Sequence, residues 1–167
     1  MSEQSKALTY TSYLALDEIL GAQRPRSDEH DEMLFIVVHQ VYELWFKELL
    51  HELAHLQRLL EEGRGAQALG TFKRILTILK LVVAQLDVIE TMTPVQFLTF
   101  RELLESSSGF QSGQFRELEA ILGRRDMGAA DRYPPESDAR QRIADALFKA
   151  VQKYQASLKS VGKVAAQ

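Results

Sequence analysis

Apolar residues recur at steps of three and four positions over most of the chain, which is the period of an α-helix with one buried face. The longest such pattern spans residues 28–63, begins with acidic residues that suit a helix amino terminus and stops at Gly63. A helix of this length would be roughly 50 Å long at about 1.5 Å per residue, so the pattern predicts an elongated bundle. No segment shows the two-residue alternation of a half-buried strand.

Four further segments have the same period. A second long helix is predicted from Ala66 to Thr91, a short one over residues 94–104 with Thr93 as its cap, another over 115–123, and a last one over 138–162. Residues 126–137 are predicted to be a linker, because the stretch around them contains two glycines and two prolines. We therefore expect one all-α domain over residues 1–167, with two long antiparallel helices.

Composition excludes several classes of protein. The net charge of −3, from 20 basic and 23 acidic residues, is too balanced for a nucleic-acid-binding surface. Cysteine is absent, which excludes disulfides, iron–sulfur clusters and thiol catalysis. The amino terminus lacks the apolar core of a signal peptide, and no apolar run approaches membrane-spanning length. We expect a cytoplasmic protein without nucleic-acid or membrane partners.

The string HELAH at residues 51–55 has the HExxH spacing of zinc hydrolases. Positions i and i+4 lie on one face of a helix, so His51 and His55 could share a metal ion, with Glu52 as the base for a bound water. No HxxGxxH extension follows to supply a third ligand. The alternative is two polar positions on a half-exposed helix, and we assign no metal ligand here.

His39 lies earlier on the same predicted helix, within MLFIVVHQVYELWFK. Phe35, Tyr42 and Phe46 fall within roughly 40° of it on the helical wheel, so one imidazole is surrounded by aromatic rings. Two interpretations are open. The first is a core histidine with a satisfied hydrogen bond; the second is an aromatic-walled pocket in which a neutral imidazole binds a ligand.

Arg101 follows TPVQFLTF, one turn after Phe97 and shortly before the loop SSSGFQS. An arginine beside an aromatic ring suits the bidentate capture of a carboxylate, and Gly109 lets the backbone approach a ligand closely. For these segments taken alone, an exposed ion pair and an ordinary loop are the alternatives.

Taken together, three stretches resemble the tryptophan 2,3-dioxygenase family, haem enzymes that open the indole ring of L-tryptophan. The stretches are LTYTSYLALDEILGAQRP, HDEMLFIVVHQVYELWFKELLHEL and TMTPVQFLTFRELLESSSGFQSGQFRELEAILG. The resemblance covers about residues 8–125 and corresponds to the amino-terminal half of the family's catalytic domain, whereas residues 138–162 show no recognisable match. LLHEL is itself a family string, so His51 and Glu52 are explained without zinc and only His55 is additional.

The resemblance implies roles for four residues of the pocket. His39 matches the histidine that hydrogen-bonds the indole N–H above the haem, and Phe35 matches the aromatic residue beside the indole. Arg101 matches the arginine that binds the substrate carboxylate, and Phe97 lies where the family has Tyr or Phe against that carboxylate. The implied ligand is an aromatic amino acid or an indole compound, the implied cofactor is haem, and the implied activity is oxygen insertion into the indole ring in tryptophan catabolism.

Two further segments have implied roles. Ser108 and Gly109 match the loop on the oxygen side of the pocket. Tyr10, Tyr13 and Leu14 match amino-terminal residues that cap the active site of a neighbouring subunit. The resemblance therefore implies an intertwined homo-oligomer, either a dimer or, as in the family, a tetramer.

The haem ligand of the opposite face has no counterpart in this sequence. In the family a histidine of the C-terminal half ligates the iron, whereas the four histidines here stand at positions 30, 39, 51 and 55. Dioxygen activation needs iron that is ligated on one face and open on the other. Three explanations are open: a shortened member with altered ligation, one piece of a split enzyme completed by a second polypeptide, or a non-catalytic helical binding module that has lost haem. Whether the chain is an enzyme is left open.

Overall fold

The computed structural model describes residues 7–105, 107 and 109–165, without the side chains of residues 110 and 153–165. Within this part of the chain the structure is all-helical and contains no strand, as the apolar period predicts. The helices are α1 Tyr10–Leu14, α2 Leu16–Leu20, α3 His30–Glu61, α4 Gly65–Ala84, α5 Leu86–Ile89, α6 Pro94–Arg101, α7 Gly113–Ile121 and α8 Asp138–Ala165. Short 3-10 turns cover Glu102–Leu104, Gly109–Gln111 and Ala130–Arg132.

The start of α6 and the end of α3 are determined by residues at those positions. The Thr93 hydroxyl accepts a hydrogen bond from the Gln96 N–H, and the Gln96 side chain accepts one from the Thr93 N–H, so the predicted cap of α6 is confirmed as a capping box. Pro94 occupies the first helical position, where its missing N–H is not needed. After α3, Gly63 adopts a φ of 71°, a conformation that favours glycine and ends the helix.

The second long helix is shorter than predicted. Its apolar period predicted one helix over residues 66–91, but α4 ends at Ala84 and α5 begins after Gln85. The Tyr42 hydroxyl donates a hydrogen bond of 3.1 Å to the Val82 carbonyl, which in an uninterrupted helix accepts from the N–H four residues later. A side chain that enters the series of backbone hydrogen bonds along a helix interrupts the helix. The interruption therefore comes from α3 and was not visible in the sequence of α4.

The main apolar core lies between α3, α4 and α7. Its buried centre consists of Phe46, Leu49, Ile75, Ile78 and Leu118. Burial of a side chain of this size contributes roughly 1.5–3 kcal/mol relative to an exposed one. Because α3 is a single long helix, the packing of its middle also fixes the direction in which residues of its amino-terminal half, including His39, point.

A second apolar cluster joins α8 to α7. Its members are Ala120, Ala129, Ala130, Ile143, Ala146 and Leu147. Ala129 and Ala130 belong to the segment predicted as a linker, so the structure buries part of that segment. The amino-terminal ends of the two helices nearly touch, since a Cβ atom added at Gly113 would lie 2.8 Å from the Cβ atom of Ala139. The Tyr133 hydroxyl donates to the Gln111 carbonyl at 3.1 Å, which ties the approach to α8 to the loop before α7.

A buried carboxylate fixes the start of α3. Glu32 is 1% exposed and accepts hydrogen bonds at 2.6–2.8 Å from the N–H groups of Arg26 and Ser27 and from the Ser27 hydroxyl. Burial raises the pKa of Glu32, but the hydrogen bonds from Ser27 and Arg26 together outweigh it, so the pKa lies below the ordinary value of 4.5. The carboxylate holds the loop before α3 against the first turn of the helix.

Glu32→Gln should lower the free energy of unfolding by roughly 1–3 kcal/mol near neutral pH, because charge-assisted hydrogen bonds to the loop are lost. Because the pKa of Glu32 is lowered in the folded state, the difference in free energy of unfolding between the wild type and the variant is largest above the unfolded pKa. This difference is lost as the pH falls from about 4.5 through the lower folded pKa. Urea titrations of both proteins from about pH 7 to about pH 3 measure the difference. The exposed Glu136→Gln is the control, and a Glu32→Gln deficit that stays constant with pH would contradict this account.

The described residues contain no helix long and apolar enough to cross a membrane.

Candidate functional site

The aromatic wall of the candidate site is built from α3 and α6. Phe35 on α3 lies with its ring centroid 5.7 Å from that of Phe97 and 5.8 Å from that of Phe100 on α6. Phe97 and Phe100 meet edge to face at 5.5 Å. Phe100 is fully buried, whereas Phe35 and Phe97 are half-buried. The three rings hold α6 on α3 and so set the position of Arg101, which follows Phe100 directly.

The His39 ring lies against Phe35 with the centroids 4.1 Å apart. Its Nδ1 is 2.7 Å from the Phe35 carbonyl oxygen. Because a carbonyl oxygen can only accept, this contact assigns the proton to Nδ1 and leaves Nε2 of the neutral ring as an acceptor. Gly109 lies next to Nε2, since a Cβ atom added there would be 3.5 Å from it. The structure thus brings Phe35, His39, Phe97 and Gly109 of the predicted site together.

A cleft of about 340 Å³ opens beside His39, and we call it the His39 cleft. Its lining residues are His39, Tyr42, Glu43, Phe46, Gly109, Ser112, Phe115 and Arg116. The Phe46 ring centroid lies 5.9 Å from that of Tyr42 and 5.3 Å from that of Phe115. Burial raises the pKa of the Tyr42 phenol, which stays protonated and donates to Val82. Four of the eight lining residues carry an aromatic ring, and Glu43 and Arg116 add one charge of each sign. Aromatic walls with a few polar groups are typical of a site for a small ligand.

A second cleft, of about 320 Å³, lies on the other side of His39, and we call it the Phe35 cleft. Its lining residues are Arg24, Arg26, Glu32, Phe35, Ile36, His39, Gln40, Leu103, Leu104, Glu105 and Ser107. The loop before α3 and the turn after α6 therefore face each other across the amino-terminal half of α3. His39 stands between the two clefts.

Arg101 is half-buried at the end of α6. Its Nη1 donates a hydrogen bond of 3.0 Å to the backbone carbonyl of Glu105. A guanidinium has five N–H donors in a planar fork, so one bond to a carbonyl leaves donors that can bind a carboxylate. The prediction that Arg101 binds a carboxylate is compatible with this geometry and stays a prediction.

The predicted amino-terminal residues lie apart from both clefts. Tyr10 and Tyr13 are 75% and 72% exposed, and Leu14 is 36% exposed. They belong to α1, which packs on α2, and none of the three lines the His39 cleft or the Phe35 cleft. Ser108, the other predicted loop residue, lies outside the described residues.

The HELAH string, residues 51–55, lies in the carboxy-terminal half of α3. Glu52 is buried and its Oε1 accepts a hydrogen bond from Arg74 Nη1 of α4 at 2.7 Å, whereas His51 is exposed. The carboxylate that a zinc hydrolase would use as its base is thus paired with an arginine of a neighbouring helix. His55 Nδ1 lies 3.5 Å from Arg58 Nη2. Among the described residues, no group of three or more histidine, aspartate or glutamate side chains could hold a metal ion.

Sequence reasoning missed several residues of the site. Phe100 follows Phe97 by three positions, a helical spacing that could have indicated a shared aromatic cluster. Phe115 of the His39 cleft gave no signal, because its approach to α3 depends on how α7 docks, and Ser112 was included only as part of the loop SSSGFQS. Glu105 gave no signal either, since a glutamate does not by itself predict a positive φ.

Comparison with known proteins agrees with the resemblance carried by the motifs. The family model described as tryptophan 2,3-dioxygenase matches residues 1–159. The chain belongs to the tryptophan 2,3-dioxygenase family. A tryptophan 2,3-dioxygenase of Anaeromyxobacter sp. (strain K) is 66% identical over 146 residues, which cover 87% of this chain and 55% of that protein. Those of Herpetosiphon aurantiacus and Caulobacter vibrioides are 63% and 45% identical, over 71% and 84% of this chain and 46% and 53% of theirs.

The chain spans about half the length of the tryptophan 2,3-dioxygenases that it matches. The identity of up to 66% over most of the chain explains why the ordered motifs were recognisable from the sequence. The match therefore covers about half of each of these tryptophan 2,3-dioxygenases.

Haem is the cofactor that the tryptophan 2,3-dioxygenase family implies, and the residues present fit one of its two faces. The His39 cleft offers flat aromatic walls and one imidazole nitrogen that can accept a hydrogen bond. The other three histidines, at positions 30, 51 and 55, all lie on α3 together with His39. No other helix brings a histidine to the opposite side of the cleft, because the sequence has none elsewhere. The described residues therefore supply aromatic rings and one imidazole acceptor on one side of the cleft, and no histidine of these 167 residues lies outside α3.

Proposed function

We propose that this chain forms the substrate-facing half of a tryptophan 2,3-dioxygenase active site, in which an aromatic amino acid or indole compound binds beside His39. The observation that carries the proposal is the hydrogen bond from His39 Nδ1–H to the Phe35 carbonyl. It leaves Nε2 as an acceptor next to Gly109 and an aromatic cleft. An acceptor in such a cleft suits the single N–H donor of an indole ring.

In this proposal His39 Nε2 accepts the indole N–H, and Phe35 packs beside the indole ring. The contact between Phe35 and His39 at 4.1 Å supports their acting together, because the ring of Phe35 limits rotation of the imidazole. Gly109 allows the ligand or the loop to approach Nε2 without a side chain in between. Ser108 is proposed to line the same place on the basis of the family motif.

Arg101 is proposed to bind the carboxylate of the amino acid, with Phe97 as its apolar neighbour. The rings of Phe97 and Phe100 pack α6 on Phe35, which supports our proposal that one ligand places its carboxylate on Arg101 and its indole beside His39. A bidentate arginine–carboxylate pair fixes orientation as well as adding affinity.

When bound, haem would supply the iron that activates dioxygen for insertion into the indole ring. The residues of this chain would bind and orient the substrate and exclude water from it. The iron of a bound haem would be held either by an altered ligand of this chain or by a second polypeptide. An indole-binding module without haem is the second candidate.

We further propose a homo-oligomer, a dimer or a tetramer, in which Tyr10, Tyr13 and Leu14 cap a neighbouring subunit's site. Their exposure in the single chain supports this, since large apolar side chains gain from being covered. Two long antiparallel helices, α3 and α4, would form the frame of each subunit. A cytoplasmic location and the division into residues 8–125, 126–137 and 138–162 stay predictions.

Haem reconstitution of the purified chain tests the proposal. We expect a Soret band that shifts when L-tryptophan is added, because a ligand bound beside His39 would change the surroundings of the haem. His39→Ala should weaken tryptophan binding roughly three- to tenfold, as expected for loss of one hydrogen bond. His55→Ala, on the same helix but away from the clefts, is the matched control. No Soret band with retained tryptophan binding would favour the module without haem, and neither signal would contradict both candidates.

A further inference from the structure

The turn that follows α6 contains a residue in an unusual backbone conformation. Glu105 has φ 49° and ψ −122°, and in the described part of the chain only Ala15 is another non-glycine residue with positive φ. Beside it, the Ser107 N–H donates a hydrogen bond of 2.8 Å to the Leu104 carbonyl. The angles of Glu105 are those of the second position of a type II′ turn, a position that strongly favours glycine.

This conformation directs the Glu105 carbonyl to Arg101. Arg101 Nη1 donates to it at 3.0 Å, and the turn itself lines the Phe35 cleft together with Phe35 and His39. A residue kept in a conformation that its Cβ atom disfavours indicates that the backbone direction, rather than the side chain, is what the fold uses there. The Glu105 side chain is exposed.

We propose that Glu105 is a positioning residue: its left-handed backbone turns its carbonyl onto Arg101 and fixes the guanidinium for carboxylate binding. The carbonyl accepts from one guanidinium nitrogen, which leaves further N–H donors of the planar fork for a carboxylate. A preformed fork loses less conformational entropy when the carboxylate binds. The inference rests on the proposed role of Arg101 and adds the element that orients it.

Glycine and valine at position 105 separate the backbone from the side chain, because both remove the carboxylate. Glycine adopts the observed angles readily, whereas β-branched valine disfavours positive φ and should turn the carbonyl away from Arg101. Glu102→Val is the matched control, three residues earlier, exposed and at an ordinary φ of −65°. All variants are made in the full chain with haem added, and L-tryptophan affinity is measured by calorimetry alongside the thermal unfolding midpoint.

We expect Glu105→Val to weaken tryptophan binding by about tenfold or more, and Glu105→Gly to restore the affinity to within about twofold of the wild type. Glu102→Val should leave the affinity unchanged. In the Arg101→Ala background, Glu105→Val should have no further effect on affinity, because there is no guanidinium left to orient.

The results at positions 101 and 105 separate failure of the positioning role of Glu105 from failure of the carboxylate-binding role of Arg101. If Arg101→Ala weakens binding while Glu105→Val does not, or if glycine weakens it as much as valine, the positioning role is overturned and the carboxylate assignment stands. If Arg101→Ala itself has no effect on affinity, the proposed function of Arg101 fails first. Where Glu105→Val lowers the unfolding midpoint strongly, Glu105→Gly decides the matter: it should keep the affinity of the wild type, and loss of affinity with glycine contradicts the inference.

Discussion

Phe100→Ala is expected to lower the free energy of unfolding by about 3–5 kcal/mol. Phe100 is fully buried and meets both Phe35 and Phe97 in edge contacts. Its truncation would leave a cavity between α3 and α6 that the neighbouring rings fill only in part. Urea denaturation followed by the fluorescence of Trp45, the single tryptophan of the chain, measures the change.

Leu98→Ala is the control for Phe100→Ala, because Leu98 lies on the same helix and is 66% exposed. It should change the stability by less than about 1 kcal/mol. We also expect Phe100→Ala to weaken tryptophan binding, since Phe35 and Phe97 lose the ring that holds them together. Equal effects of the two substitutions on stability would show that the aromatic wall is not a packed unit.

Arg101→Ala should weaken L-tryptophan binding by about 30-fold to 1,000-fold, or about 2–4 kcal/mol, because a charge-assisted bidentate contact is removed. Arg101→Lys keeps the positive charge but not the planar fork, so it should restore only part of the affinity. Calorimetric titration of the three proteins with L-tryptophan measures these differences.

Tryptamine provides a chemical control for Arg101, because it has the indole and the amine of tryptophan but no carboxylate. The wild type should bind tryptamine more weakly than tryptophan, and Arg101→Ala should not weaken tryptamine binding further. A large loss for both ligands would indicate that the substitution damages the fold near α6. An unchanged tryptophan affinity would refute the carboxylate assignment.

The helices themselves could be predicted because their causes are local. Apolar periodicity predicted α3, and Thr93 with Pro94 predicted the start of α6, where a capping box is present. The break at Gln85 could not be predicted in this way. It depends on the Tyr42 hydroxyl, which is 40 residues away in sequence from the carbonyl that it contacts.

Residue identity alone predicted less of the site than the family motifs did. A helical wheel placed Phe35 beside His39, and the structure brings them into contact, but the wheel left open both a core histidine and a ligand-binding histidine. The bond from Nδ1 to the Phe35 carbonyl distinguishes the two nitrogens of the ring. In HELAH, by contrast, the sequence pattern suggested a zinc site, whereas the structure pairs the Glu52 carboxylate with Arg74.

The sequence by itself determined the all-helical class, the approximate ends of α3, the start of α6 and the family, because periodicity, caps and ordered motifs are properties of neighbouring residues. Only the tertiary structure decided which nitrogen of His39 is an acceptor, where Glu105 directs its carbonyl and which rings line each cleft. These features depend on the docking of α6 and α7 on α3 and on single backbone dihedral angles. Such contacts join residues far apart in the chain, so no local pattern records them.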